Sequence, residues 1–240
     1  MMKKKQKNNQ LTEVLSNGYV RLVDSMGSDL SVVNAARASY AKESEAFNEK
    51  DEKLIKFLAR EGHWSPFRHA FITLEFKAPL MVARQHWKYV VGSDHTMDSW
   101  NESSRRYITM DPEFYIPNKN GWRSCPENLK QGSGDFIDEE TGAILTSILE
   151  DYIQQGENLY SWAIDEANIA PEQARLFLPA YGMHVVYRWS CSLQSVGLFL
   201  SQRLHHTAQY EISEYAKAVY DIVYPLFPIS MKAIMESSNG

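Results

Sequence analysis

The sequence predicts an α+β fold, in which a mixed or antiparallel sheet packs against several long helices. Residues 19–24 and 70–77 alternate polar and apolar side chains, and 183–191 is rich in Val, Tyr and Trp, so three strands are expected. Residues 144–168 and 208–224 carry helical spacing over longer runs. Helices outnumber strands without a regular βαβ alternation, which favours α+β over a doubly wound sheet. A chain of 240 residues with 44% hydrophobic content can bury one sizeable core. One domain is expected over 19–236, after a frayed tail at 1–18 that starts basic and polar. No apolar run suits a membrane span, and the net charge of −5 argues against a general nucleic-acid coat. Cys125 and Cys191 form no CxxC pair, so a reduced, cytoplasmic protein without a signal peptide is expected.

The elements follow in order. After the first strand, 27–29 reads as a turn, with Asp29 or Ser31 capping a short helix through Arg37. Arg37 and Ser39 form a polar patch that suits either a surface helix end or a binding role. A helix opening at 44–48 carries Leu54, Ile55 and Leu58 on one face, and Gly62 ends it. The loop 62–69 is dense in rings and donors. In the next strand Ile72, Leu74 and Phe76 face the core, and Thr73, Glu75 and Lys77 face away. Pro79 suits the first helical position. Leu80, Ala83 and Trp87 should be buried, leaving Gln85 and Lys88 to face a cleft. A loop is expected at 91–98 and mostly irregular chain at 111–142, around an extended 114–117. Ile148, Tyr152, Leu159, Trp162 and Ala163 mark the long helix. Pro171 starts a short helix that Pro179 stops. Ser192 caps a helix with Leu193, Val196 and Leu200 on its apolar face and Arg203 at its end.

The chemistry concentrates in 84–107, which packs amide, cation, carboxylate and hydroxyl groups together. Arg84, Arg105, Arg106, Arg175 and Arg203 flank apolar or loop segments. A guanidinium grips phosphate through a bidentate fork, although a lone arginine more often makes a surface ion pair. Ser104 lacks a GxSxG elbow, so hydrogen bonding suits it better than nucleophilic attack. Cys191, in an apolar run, reads as a buried and inert thiol. His63, His69, His205 and His206 lack metal-ligand spacing; the 205–206 doublet cannot put both rings on one helical face, and no metal is expected. Neither a P-loop nor GxGxxG is present.

Taken together, His63-x-Ser65-Pro66-Phe67, Ala83-Arg84-Gln85 and Ser99-x-Asn101-Glu102-x-Ser104-Arg105-Arg106-Tyr107 resemble the flavin-dependent thymidylate synthase family. Phe114-Tyr115-Ile116-Pro117, Ala174-Arg175 and 203–211 extend the resemblance over about 33–222. Three departures stand out. The family's Arg-His-Arg triplet falls on Lys88-Tyr89-Val90. A longer spacer, 91–98, follows it. Ser192-Leu193-Gln194-Ser195 stands where the family often has Asn-x-Arg-Ser.

The resemblance implies reductive methylation of dUMP to dTMP, with methylenetetrahydrofolate as carbon donor, FAD as cofactor and NADPH as reductant. It also implies a homotetramer with active sites at subunit interfaces. By the same resemblance, dUMP is expected at Gln85, His86, Trp87, Lys88, Glu102, Ser103, Ser104, Arg105, Arg106, Arg175 and Arg203, with Arg203 catalytic. FAD is expected at His63, Ser65, Lys88, Tyr89, Val90, Glu102, Ser192, Gln194 and Leu198. The alternative is a catalytically altered flavin- or nucleotide-binding protein of the same fold.

Overall fold

The computed structural model describes residues 11–92, 98–103, 112–126 and 132–238, with backbone alone for 90–92 and 238. Among these, five strands form one sheet: β1 (Leu11–Val14), β2 (Gly18–Met26), β3 (Phe71–Pro79), β4 (Ser99–Glu102) and β5 (His184–Ser192). Their order is β1-β2-β3-β5-β4, and every neighbouring pair is antiparallel. The helices are α1 (Asp29–Arg37), α2 (Glu49–Arg60), α3 (Leu80–Gly92), α4 (Glu139–Asp165), α5 (Pro171–Ala174), α6 (Leu193–Arg203), α7 (Tyr210–Val223) and α8 (Pro228–Ser238). The α+β expectation holds, and the sheet is antiparallel rather than mixed.

The inner sheet face carries Val20, Leu22, Ile72, Leu74, Phe76, Tyr187, Trp189 and Cys191, all buried. Ile55, Leu58, Phe199, Leu200, Ile212, Val219 and Met231 join the same core from the helices, and Phe227 from the turn before α8. Full burial of one such aliphatic or aromatic side chain contributes about 1.5–3 kcal/mol, so this single core carries most of the stability. The outer face centres on Glu75. Its carboxylate accepts from Arg21 at 2.6 Å, Arg188 at 2.9 Å and the Tyr19 hydroxyl at 3.1 Å. Burial alone would raise this carboxyl; the arginine hydrogen bonds outweigh it and hold the group below its usual range.

Several expectations change. The frayed tail gives way at Leu11, because β1 pairs with β2; residues 1–10 lie outside the described residues. Ser28, not Asp29 or Ser31, caps α1, with Ser31 answering it in a capping box. Pro79 ends β3, opposite His184, instead of starting α3. The chain can turn there because the Leu80 and Met81 amides donate to the Met183 and Tyr181 carbonyls. Arg37 is structural: it pairs with Asp51 at 2.5 Å and bonds Ser44, tying α1 to the start of α2. Gly62 adopts φ +69, a left-handed conformation that costs glycine little, and releases the chain from α2.

The long helix expected over 144–168 is α4, and most of its apolar stripe faces outward. Ala163 and Ile153 are buried, but Ile144, Ile148, Tyr152, Leu159 and Trp162 are between 47% and 59% exposed. A small second core of Phe114, Ile153 and Leu178 holds the helix to the segment at 114–117. Its outward apolar stripe therefore has no cover within the chain among the described residues.

Candidate active site

Helix α3 runs from the end of β3 past the edge of the core. Val82, Ala83, His86 and Tyr89 turn inward at helical spacing, whereas Lys88 is exposed and Gln85 lies between. Trp87, expected inside, is exposed and meets Trp100 edge-on at 5.2 Å. His86 takes the inner position instead and is only 1% exposed. Its ring sits 4.8 Å from Phe76, 4.6 Å from Trp189 and 4.5 Å from Phe199. Its Nδ1 meets the Tyr187 hydroxyl at 3.1 Å. Burial, then the charge of Arg203, lowers its pKa to about 3, so the imidazole is neutral.

Strand β4 brings the second part. Trp100 stacks on Tyr187 at 3.8 Å, which seats the strand against β5 and sets Glu102 opposite Tyr187. Desolvation raises the Glu102 carboxyl, with the Trp100 indole bond opposing. The Ser103 amide donates to the Val186 carbonyl, and its side chain is exposed. Asp98 anchors the start of the segment: it accepts from Trp189 Nε1 at 3.3 Å and Ser195 Oγ at 2.9 Å. Ser104, Arg105 and Arg106 lie outside the described residues, as does the side chain of Val90.

Helix α6 brings the third part. Ser192 caps it by accepting from the Ser195 amide at 3.2 Å, so Arg203 arrives at the last turn beside α3. The Arg203 guanidinium lies 5.3 Å from the centre of the Tyr89 ring. The Tyr89 hydroxyl donates to Gln202 Oε1 at 2.8 Å. Gln85 Oε1, His86 Nε2 and Arg203 Nε are all buried without a hydrogen-bond partner. An orphaned buried polar atom costs about 1–3 kcal/mol. The His86 atom is enclosed by the aromatic cage, whereas those of Gln85 on α3 and Arg203 on α6 are left for a hydrogen-bonding ligand. Past Arg203, Leu204 to Ala208 form one wall of a cavity of about 390 Å³.

The expected flavin residues divide. His63 and Ser65 are exposed on and beside the 3₁₀ turn Ser65–His69, which packs near the start of α6. Arg68, which the sequence reading passed over, donates to Gln194 Oε1 at 2.8 Å and ties that turn to α6. Leu198 is exposed on the same helix, Lys88 is exposed on α3, and Tyr89 is buried against Phe199 of α6. Ser192 is 2% exposed and committed to its cap, and His86 is closed off in its aromatic cage. In this conformation both are supports rather than contact residues, a correction to the expected contacts. Arg175 stands apart. It follows α5 on the α4 side of the molecule and donates to the Glu172 carbonyl at 3.1 Å.

Comparison with known proteins joins this geometry to a family. The family model described as thymidylate synthase complementing protein matches residues 21–229. A flavin-dependent thymidylate synthase from Wolbachia pipientis wMel is 35% identical over 93% of this chain and 76% of its own. Another from Thermosipho africanus is 34% identical over 93% of each chain. The chain belongs to the flavin-dependent thymidylate synthase family. Among solved structures, a UMP/dUMP methylase PolB from Streptomyces cacaoi, bound with 5-Br dUMP, matches with TM-score 0.79 and 29% identity. That match covers 94% of this chain and 97% of the methylase.

Flavin-dependent thymidylate synthases imply FAD, and the residues present fit it in kind. His63, Ser65, Arg68 and Lys88 are exposed donors, Arg68 is tied to Gln194 on α6, and Gln85 and Arg203 keep unpartnered buried atoms. No group of three or more His, Cys, Asp or Glu among the described residues could hold a metal. His205 and His206 lie beyond the end of α6, with their rings 4.1 Å apart, so the helical-face argument against the pair does not apply. Cys191 is buried, and burial pushes its thiol well above the usual range; Cys125 is exposed.

Proposed function

We propose that the chain is a thymidylate synthase of the flavin-dependent type. It converts dUMP to dTMP, with methylenetetrahydrofolate donating the carbon and NADPH the reducing equivalents. The observation that carries the reading is the pair Gln85 and Arg203, on α3 and α6, each with a buried polar atom left for a ligand. When bound, FAD supplies the reducing equivalents that turn the transferred carbon into a methyl group. The chain's own residues do the rest. Arg203 sets a cation beside the uracil, favours charge build-up at its N3–O4 side and so makes C5 nucleophilic. No enzyme thiolate is needed, in keeping with the buried Cys191. Gln85 reads the uracil edge, with Glu102 and Ser103 at the β4 rim. Arg105, Arg106, Arg175 and Ser104 hold the phosphate through charged hydrogen bonds of about 1.5–3 kcal/mol each. His63, Ser65, Gln194, Leu198 and Lys88 hold the flavin. Orienting the nucleotide against it is worth up to about 7–11 kcal/mol.

The assembly is a homotetramer with each site completed by a neighbouring copy. Two observations support this. The apolar stripe on α4 is exposed, and Arg175 lies on the α4 side rather than at the end of α6. A cytoplasmic location suits the two unpaired cysteines. No helix among the described residues is long and apolar enough to cross a membrane.

The test is direct. Purified protein should carry flavin absorbance, and deuterium from reduced flavin should appear in dTMP when dUMP and the folate are supplied. A yellow protein that forms no dTMP would favour the catalytically altered alternative, and a colourless one that binds dUMP would favour a nucleotide-binding role.

A further inference from the structure

We propose that Gln202 is a positioning residue: by holding the Tyr89 hydroxyl, it fixes the ring on which the Arg203 guanidinium rests. The inference rests on the thymidylate synthase reading above. It concerns the position where this chain departs from its family's triplet, at Lys88-Tyr89-Val90.

The ring is held on three sides. Its hydroxyl donates to Gln202 Oε1 at 2.8 Å. Phe199, one turn earlier on α6, meets it edge-on at 5.2 Å and 87°. His86 lies 6.5 Å away on its own helix. The guanidinium sits 5.3 Å from the ring centre. Tyr89 comes from α3, whereas Gln202 and Arg203 are neighbours on the last turn of α6. The hydroxyl bond therefore locks the two helices together at the point where the cation sits.

The chemistry explains why amide and phenol serve here. Among the described residues no ion pair engages Arg203, and its buried Nε has no partner. A carboxylate would anchor the guanidinium but would also compete with the uracil for its charge. An aromatic face attracts a cation through its quadrupole and leaves the full charge available. The ring does this only while the phenol is neutral. Burial raises its pKa, with Arg203 opposing, so the phenol keeps its proton and needs an acceptor. The Gln202 carbonyl is that acceptor, and it is uncharged.

The experiment compares Gln202→Leu, Tyr89→Phe and the double variant in the flavin-loaded protein. Each single variant should lose about tenfold in kcat, with KM for dUMP changed less than about twofold, because the phosphate anchors remain. The double variant should be no worse than Tyr89→Phe, since Gln202 acts through that hydroxyl. Without any turnover assay, phenylglyoxal labelling of Arg203, read by peptide mass, should speed up severalfold in all three. Additive losses in kcat, or labelling at the wild-type rate, would overturn the proposal. A wild-type protein that forms no dTMP, but whose variants show the labelling change, would overturn the synthase reading and leave the Gln202 role standing.

Discussion

His86 offers a stability prediction whose size follows from its surroundings. The ring is enclosed by Phe76, Trp189 and Phe199, with its Nδ1 on the Tyr187 hydroxyl. Its folded pKa of about 3 lies below the roughly 6.5 of an unfolded chain. Between those values the unfolded state binds one more proton, so stability falls as pH falls. The contribution is fully present above about pH 6.5 and declines by roughly 1.4 kcal/mol per pH unit below it. Between about pH 6.5 and about pH 4.5 that amounts to roughly 2.7 kcal/mol. Glu75, also depressed, loses its contribution only at lower pH, below its ordinary value of 4.5. His86→Phe fills the cage without a titrating group. It should start about 1 kcal/mol less stable at neutral pH, because Tyr187 loses its partner. Over the acid window it should then lose less than the wild type. Urea unfolding of both proteins at several pH values measures the difference. Identical acid slopes would refute the neutral, buried imidazole.

Three further outcomes are expected. Glu211 pairs with Arg123 where both side chains are largely buried, so Glu211→Ala should cost about 3–5 kcal/mol; a thermal midpoint equal to wild type would contradict the pairing. Cys125→Ala and Cys191→Ala should each retain turnover; a folded variant of either with none would favour a thiolate mechanism. On α4, the double substitution Ile148→Asp and Trp162→Asp should lower the particle mass seen by light scattering and abolish dTMP formation, whereas an unchanged mass would remove the stripe from the proposed interface.

Much of this was legible in the residues. Alternation marked β2 and β3, and helical spacing marked α6 and α7, because each of these buries a periodic face; on α4 the spacing marked an apolar stripe that lies exposed. Missed features had other causes. β1 is four residues in a polar stretch, whose pairing depends on β2. α8 has apolar residues near a proline, but its partners α2 and α6 are far away in sequence. Spacing on α4 showed a stripe but could not say whether the chain's own core or another copy covers it. At the site, family motifs pointed to Arg203, Gln85 and His63 as candidates. The Tyr89–Gln202 bond and the Arg68–Gln194 bridge span 113 and 126 residues, and no local pattern reports such pairs. His86 and Trp87 exchanged roles because a neutral histidine can satisfy a core position when a phenol meets it.

The central claim is that Arg203 primes the uracil while other cations hold the phosphate. Arg203→Ala, loaded with flavin and saturated with dUMP and methylenetetrahydrofolate, tests it most directly in a single-turnover assay for dTMP. The account predicts that dUMP still binds and that dTMP does not form; dTMP formed at a near-normal rate would contradict it.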